Sequence, residues 1–84
     1  MVTVYTADGC SWCRLVKQFL DEKGVRYQEV DITRQPERLA ELVSKSMQTS
    51  VPVTDVNGAV IIGYNREALE RALQAHGFLD RTAR

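Results

Sequence analysis

The sequence lacks the features on which several large classes of protein depend. Its 84 residues include two cysteines, one histidine and one tryptophan, and 11 Lys and Arg balance 11 Asp and Glu, so the net charge is zero. This balance gives no support to a nucleic-acid or polyanion partner. No apolar run approaches the ~20 residues of a membrane span, and no signal-like stretch precedes the first apolar run. We therefore expect a single cytoplasmic domain over residues 1–84, without a membrane partner.

Both cysteines lie in one short stretch, Cys10-Ser11-Trp12-Cys13. It follows an apolar run typical of a strand, Val2–Thr6, and opens a segment with helical spacing. Residues three apart at a helix start share one face, so the two sulfurs can meet. The free N–H groups and the positive end of the helix dipole favour a thiolate at the first cysteine. The stretch therefore predicts nucleophilic thiol chemistry, with Cys10 as the nucleophile and Cys13, one turn deeper, as the resolving thiol.

Two other interpretations of the cysteine pair stay open on the residues alone. One is a zinc half-site, although tetrahedral zinc needs four ligands and His76 is the only further soft donor. The other is a permanent structural disulfide, which is typical of secreted chains. A cytosolic two-cysteine pair is more often catalytic, so we expect no metal and treat His76 as a solvated surface residue.

Apolar spacing and turn residues predict the order β-α-β-α-β-β-α, an α/β fold. Two parallel strands are followed by an antiparallel hairpin, whose turn is Asn57-Gly58. We expect a four-stranded mixed sheet with helices on both faces. The predicted strands are Val2–Thr6, Val25–Ile32, Val51–Val56 and Ala59–Ile62, and the predicted helices begin near Ser11, Pro36 and Asn65.

The same spacing predicts which side chains face the core. In the first helix the stripe is Trp12, Leu15, Val16, Phe19 and Leu20, and in the second it is Leu39, Leu42, Val43 and Met47. Gly24 and Gly77 are expected to close the first and last helices. We expect Phe78-Leu79 to pack back on the core and residues 80–84 to fray.

The order of four local features resembles that of the glutaredoxins. These are the Cys-x-x-Cys turn, the Val51-Pro52 dipeptide, the Asn57-Gly58 hairpin and Gly63 after the last strand. The resemblance is to a small dithiol glutaredoxin and covers nearly the whole chain. It implies a thioredoxin-like fold and a thiol-disulfide oxidoreductase that reduces protein disulfides or glutathione mixed disulfides.

The resemblance also implies a substrate site. The proline matching Pro52 is cis in this family and lies beside the cysteine pair, so Val51 N–H and C=O would pair with the backbone of a bound thiol peptide. A simple edge-strand proline is the alternative. Trp12 would either stack on the substrate or only pack against the helix end. The predicted substrate- or glutathione-binding residues are Trp12, Ser50, Val51, Pro52, Gly63, Tyr64 and Asn65.

Two departures from the glutaredoxin pattern concern the reductant. Ala7 stands where many glutaredoxins have a lysine that meets the glutathione carboxylate. After the last strand, Gly63-Tyr64-Asn65-Arg66 replaces a Gly-Gly followed by acidic residues. Gly followed by an aromatic residue is similar to the glutaredoxin-like hydrogen donors of ribonucleotide reductase, which thioredoxin reductase recharges. We expect a monomer that acts on disulfide-containing proteins and takes electrons from glutathione or thioredoxin reductase.

Two alternatives of other functional classes remain. Ser11 replaces the usual proline of the motif, and some dithiol glutaredoxins with serine there hold a [2Fe–2S] cluster between two subunits with glutathione. A cluster carrier or sensor is therefore an alternative, although the dithiol reaction needs no cofactor. The other is a bare interaction module whose dithiol is incidental.

Overall fold

The computed structural model describes residues 1–79, so the predicted fraying of residues 80–84 lies outside it. The described part contains four strands, three α-helices and one short 3₁₀ turn at Pro36–Arg38. No helix in it is long and apolar enough to cross a membrane. The elements are β1 (Val2–Thr6), α1 (Ser11–Glu22), β2 (Gln28–Asp31), α2 (Leu39–Ser46), β3 (Val53–Val56), β4 (Ala59–Ile62) and α3 (Arg66–Ala75).

The four strands form one mixed sheet in the order β2-β1-β3-β4. β1 pairs with β2 in parallel, with Thr6 opposite Asp31, and with β3 in antiparallel. β3 and β4 form the predicted hairpin, in which Asn57 and Gly58 take positive φ values of 50° and 100°. The predicted fold class and element order are confirmed.

The sheet is covered on both faces because inward side chains alternate along each strand. On β1, Val4 packs with the α1 and α3 side chains, whereas Tyr5 packs on the opposite face with Leu42 of α2. Phe78 and Leu79 pack against the first of these clusters, as expected. The larger cluster centres on Val2, Val4, Val16, Phe19, Leu20, Val56, Leu69 and Leu73.

Three strand boundaries differ from the prediction, the smallest difference being that β2 ends at Asp31 and not at Ile32. β2 begins at Gln28 rather than Val25, because Val25 N–H bonds Leu20 C=O at 2.9 Å as the chain leaves α1. Val25 is still buried, so its apolar side chain packs in the turn after α1 and not in a strand. β3 begins at Val53, directly after Pro52, since proline has no N–H to give to a ladder.

The predicted helix stripes are partly wrong. Trp12 is 60% exposed and Leu15 37%, and the buried face of α1 is formed by Cys13, Val16, Phe19 and Leu20. Met47 is 85% exposed and caps α2 in the left-handed region at φ 61°. Its position beyond the last helical turn takes it off the apolar face that its spacing predicted.

Candidate active site

The two cysteines lie at the start of α1 and are joined by a disulfide bond, with their Cα atoms 5.3 Å apart. Gly9, at φ 74°, turns the chain from β1 into the helix. A residue with a side chain would be strained in this conformation. The local sequence therefore brings together the pair that the spacing predicted.

The environments of the two sulfurs are unequal. Cys10 is the N-cap residue of α1, is partly exposed, and its Sγ accepts a hydrogen bond from the backbone N–H of Cys13 at 3.1 Å. Cys13 lies inside the helix and is only 2% exposed. A negative charge on Cys10 is favoured by this N–H group and by the helix dipole. The geometry suits Cys10 to attack and Cys13 to follow.

A cleft of about 520 Å³ opens on one side of the dithiol, and we call it the polar cleft. Two ion pairs cross its wall, Lys17 Nζ to Glu29 Oε2 at 3.0 Å and Arg34 Nε to Asp31 Oδ2 at 3.3 Å. The residues that line it are Thr6, Ala7, Asp8, Gly9, Cys10, Cys13, Arg14, Lys17, Glu29, Asp31, Arg34 and Gln35.

Glu29 is the carboxylate of this cleft that accepts two side-chain hydrogen bonds at one oxygen. Thr6 Oγ1 donates to Glu29 Oε2 at 2.7 Å, and Lys17 Nζ donates to the same oxygen. Partial burial opposes ionisation, but the hydrogen bonds from Thr6 and Lys17 outweigh it, so the pKa of Glu29 lies below its usual value. A carboxylate is therefore present beside the cysteines at neutral pH.

A second depression, of about 760 Å³, lies next to the motif, and we call it the apolar groove. The rings of Trp12 and Tyr64 meet there with centroids 6.2 Å apart, and Ile62 is exposed beside them. Its lining residues are Trp12, Val51, Pro52, Ile62, Gly63, Tyr64, Asn65, Arg66 and Glu67.

Six of the seven predicted binding residues line this groove: Trp12, Val51, Pro52, Gly63, Tyr64 and Asn65. Ser50 does not. It is exposed, and its carbonyl accepts a hydrogen bond from Gln48 Nε2 at 3.2 Å, so its backbone already serves the loop before Pro52.

The Val51-Pro52 bond is cis, as the resemblance implied. Pro52 C=O accepts from Gly63 N–H at 2.9 Å, whereas Val51 N–H and C=O have no hydrogen-bond partner within residues 1–79. On the far wall, Asn65 caps α3, and its Oδ1 accepts from Ala68 N–H at 3.1 Å. The groove therefore offers a free backbone edge next to the exposed ring of Trp12 and the partly buried ring of Tyr64.

Sequence reasoning missed the polar cleft. Lys17 had a usable signal, since it lies four residues after Cys13 and so shares its helix face. Glu29 had none in the local sequence. Glu29 reaches the cleft because of the register between β2 and β1. This register places Glu29 opposite Val4, and Thr6 follows Val4 by two residues along β1.

No group of three His, Cys, Asp or Glu side chains that could hold a metal ion occurs within residues 1–79. His76 is exposed at the C-cap position of α3. A tetrahedral zinc ion or an iron–sulfur cluster would therefore need ligands from a second molecule.

Comparisons with known proteins agree with this geometry. The family model described as Glutaredoxin matches residues 2–61, which include β1, the cysteine motif, Pro52 and most of the hairpin. The chain belongs to the glutaredoxin family. It is a glutaredoxin-like redox protein whose cysteine pair lies at disulfide distance.

Three similar proteins show the breadth of the glutaredoxin family around this chain. A glutaredoxin of Pseudomonas aeruginosa is 39% identical over 72 residues, which cover 84% of this chain and 86% of that protein. The glutaredoxin-like protein NrdH of Lactococcus lactis is 32% identical over 54 residues, or 64% of this chain and 75% of that protein. The crystal structure of a glutaredoxin from Archaeoglobus fulgidus superposes with a TM-score of 0.82 at 26% identity, covering 87% and 85% of the two chains.

Proposed function

We propose that this protein reduces disulfide bonds of other proteins through Cys10 and Cys13. The observation that carries the proposal is the unequal pair at the start of α1, in which Cys10 is partly exposed and receives an N–H bond while Cys13 is buried. An accessible nucleophile paired with a protected second thiol is the arrangement that two-step disulfide exchange requires.

The reaction proceeds in two exchanges. The Cys10 thiolate attacks one sulfur of the substrate disulfide, and the other substrate sulfur leaves with the bonding electron pair as a thiolate. Cys13 then attacks Cys10 Sγ and displaces the second substrate thiolate. The substrate gains two electrons, and the protein is left with the Cys10–Cys13 disulfide seen in the structure.

The apolar groove supports a protein substrate. The free N–H and C=O of Val51 can pair with an extended segment on either side of the substrate cysteine. Trp12 and Tyr64 present a large apolar surface to the side chains of that segment.

Two departures from the glutaredoxin pattern, Ala7 and the single Gly63, favour thioredoxin reductase over glutathione as the electron source. Glutathione carries two carboxylates, and Ala7 offers them no cation. In the polar cleft, Lys17 and Arg34 are already paired with Glu29 and Asp31, so a glutathione carboxylate would have to use Arg14 there or Arg66 in the apolar groove. Gly63 followed by Tyr64, which is similar to the pattern of the glutaredoxin-like hydrogen donors of ribonucleotide reductase, supports the same choice.

A reductant assay tests this proposal. Oxidised protein is mixed with NADPH and insulin, together with either thioredoxin reductase or glutathione plus glutathione reductase, and NADPH consumption is followed. We expect turnover with thioredoxin reductase and little with glutathione. Turnover with glutathione alone would contradict the choice of reductant, and full activity in Cys10→Ser would contradict the dithiol mechanism.

The iron–sulfur alternative keeps its own test. A cluster held by Cys10 of two chains would give a coloured dimer after anaerobic reconstitution with iron, sulfide and glutathione. A colourless monomer under the same conditions would remove this alternative. The bare interaction module is removed by any Cys10-dependent turnover in the reductant assay.

A further inference from the structure

The loop between α2 and β3 leads directly into the free backbone edge of the apolar groove. Backbone–backbone hydrogen bonds end at Met47, whose N–H donates to Val43 C=O at 2.7 Å. They resume at Pro52, whose C=O accepts from Gly63 N–H at 2.9 Å. Residues 48–51 make no such bond with any part of the described chain, 1–79. Any fixed backbone orientation in this loop therefore has to come from side chains.

Two side-chain hydrogen-bonding groups hold this loop. Ser46 is buried, and its hydroxyl lies 2.8 Å from Leu42 C=O and 3.1 Å from Gln48 C=O, so it joins the end of α2 to the loop. Gln48 Nε2 then donates to Ser50 C=O at 3.2 Å. Because a carbonyl oxygen can only accept, the side-chain nitrogen of Gln48 and not its oxygen has to face this group. These bonds form a continuous link from α2 to the residue before Val51.

The bond from Gln48 acts on the docking edge through a single peptide unit. Ser50 C=O and Val51 N–H belong to the same planar group, and this peptide is trans. In a trans peptide the N–H points opposite to the C=O, so a fixed carbonyl also fixes the direction of the N–H. A hydrogen bond at the C=O polarises the unit and makes the N–H a stronger donor. Val51 N–H, which has no partner within residues 1–79, is the group that a substrate backbone would meet.

We propose that Gln48 is a positioning residue for substrate docking, because its bond to Ser50 C=O aims Val51 N–H at the backbone of the bound segment. The inference rests on the proposed reduction of protein disulfides and names a residue that the docking step needs. Ser46 supports Gln48 by tying its carbonyl to the end of α2. Gln48 touches neither sulfur in this step, so it acts on docking and not on the thiol exchange.

The other side chains of the loop do not fix this peptide unit. Met47 has no hydrogen-bond donor in its side chain and is 85% exposed. Thr49 and Ser50 are exposed, and neither side chain makes a hydrogen bond to any residue from 1 to 79. Val51 packs its side chain against the cluster between the sheet and α2, which places the residue but does not orient the peptide before it. Within the described chain, Gln48 thus supplies the one side-chain hydrogen bond to the Ser50–Val51 peptide.

Replacing Gln48 with methionine removes the donor and keeps the length of the side chain. The hydrogen bond is exposed to solvent, so the variant should keep its fold and its urea midpoint. Reduced protein is mixed with insulin in the absence of any reductase, free thiols are alkylated at intervals, and the oxidised fraction is measured by mass spectrometry. We expect the second-order rate constant to fall about three- to fivefold, since fewer molecules hold Val51 N–H in the orientation that binds substrate.

The small reagent 5,5′-dithiobis(2-nitrobenzoate) separates docking from chemistry. It has no peptide backbone to pair with Val51, so its rate constant with Cys10 should stay within about twofold in Gln48→Met. Thr49→Ala is the matched control from the same loop, and both of its rate constants should stay within about twofold. An unchanged rate with insulin, an equal fall with both reagents, or an equal effect of Thr49→Ala would overturn the inference. Failure of insulin to oxidise the unaltered protein would instead refute the proposed function itself.

Hydrogen exchange at the Val51 amide gives a readout that a general change in folding would not move. Cys13→Ser traps a mixed disulfide between Cys10 and a short cysteine peptide, because the resolving thiol is absent. Exchange of Val51 N–H, followed by NMR, should slow at least about tenfold in this adduct, since the peptide backbone accepts its hydrogen bond. With Gln48→Met added, we expect the slowing to be about threefold smaller. Equal slowing with and without Gln48→Met would contradict the role of Gln48, and no slowing in either protein would contradict docking at Val51.

Discussion

Trp12 illustrates how one residue position can belong to the site rather than to the core. It lies between the cysteines, but its side chain turns away from Val16 and Phe19 and meets Tyr64 across the apolar groove. Tyr64 is partly buried against the core, so the exposed apolar area that can serve a partner is mainly that of Trp12. Its function is therefore expected to be the docking of substrate.

Replacing Trp12 with alanine should weaken docking and spare the chemistry. We expect KM for insulin to rise about five- to tenfold, equivalent to about 1–1.4 kcal/mol, because the substrate loses one wall of the groove. The rate at which reduced Cys10 attacks the small reagent 5,5′-dithiobis(2-nitrobenzoate) should be unchanged. Leu15→Ala is the control, since Leu15 is an exposed apolar residue of α1 outside the groove. An equal effect of both variants would refute a docking function.

Two buried threonines allow a matched test of hydrogen bonding. The Thr54 hydroxyl is fully buried and has no hydrogen-bond partner among residues 1–79, whereas the Thr6 hydroxyl is buried and donates to Glu29. Thr54→Val should raise the free energy of unfolding by about 1 kcal/mol, because an unsatisfied polar group is removed without loss of shape. Thr6→Val should lower it by about the same amount. Urea unfolding measures both, and the same sign in the two variants would contradict this argument.

Among the elements, α3 depends on a cap that also belongs to the groove. Asn65 Oδ1 accepts from Ala68 N–H at 3.1 Å and so satisfies one free donor of the first turn. Asn65→Ala should lower the free energy of unfolding by about 1 kcal/mol, whereas Asn65→Asp, which keeps the oxygen, should lower it little. The measurement is urea unfolding with an unchanged slope. Equal losses in the two variants would show that the side-chain oxygen is not responsible.

The elements also show which structural features can be predicted from the sequence alone. Asn57-Gly58 specifies its turn through its own backbone preferences, and Asn65 specifies a helix start through its own side chain. Both were predicted correctly because the cause is local. Met47 was placed on the core face by spacing alone, but α2 ends at Ser46, where the chain turns toward Pro52. Spacing cannot reveal that end, because the chain that follows determines it.

The site residues also divide into those that can be predicted from the sequence and those that cannot. Cys10, Cys13 and Trp12 are close in sequence, so their relation could be predicted from helix geometry. The residues from Val51 to Asn65 were placed through the family resemblance. Glu29 could not be found by either route, since its position depends on the register between β1 and β2. Residues joined only by sheet register carry no local signal.

At the scale of the whole molecule, three carboxylates tie the layers to one another. Glu29 joins β2 to β1 and α1, as described above. Glu41 of α2 accepts a hydrogen bond from the buried Tyr5 of β1 and also binds Arg38 at 2.9 Å. Asp55 of β3 pairs with Lys45 of α2 at 2.7 Å. The α2 layer is thus held to the sheet by charged groups as well as by Leu42.

These contacts shift the ionisation of all three carboxylates in one direction. The hydrogen bond from Arg38, with a further one from Tyr5, holds the pKa of Glu41 below its usual value. For Asp55, burial opposes ionisation, but the bonds from Lys45 and from Gly58 N–H outweigh it, so its pKa is also lowered. Glu29 behaves in the same way. In the unfolded chain these groups keep ordinary values near 4, so the unfolded state binds protons first as the pH falls.

Acid should therefore destabilise the protein, and Glu41 should account for part of the effect. The stabilisation from the lowered pKa values is complete above about pH 5 and is lost as the pH falls through the native pKa values. We expect the urea midpoint to drop steadily from about pH 5 to 3, and to drop less steeply in Glu41→Gln. Glu37→Gln is the control and should keep the full slope, since Glu37 is exposed and makes no side-chain hydrogen bond within residues 1–79. A midpoint that stays constant or rises over this range would show that these contacts do not favour the ionised carboxylates.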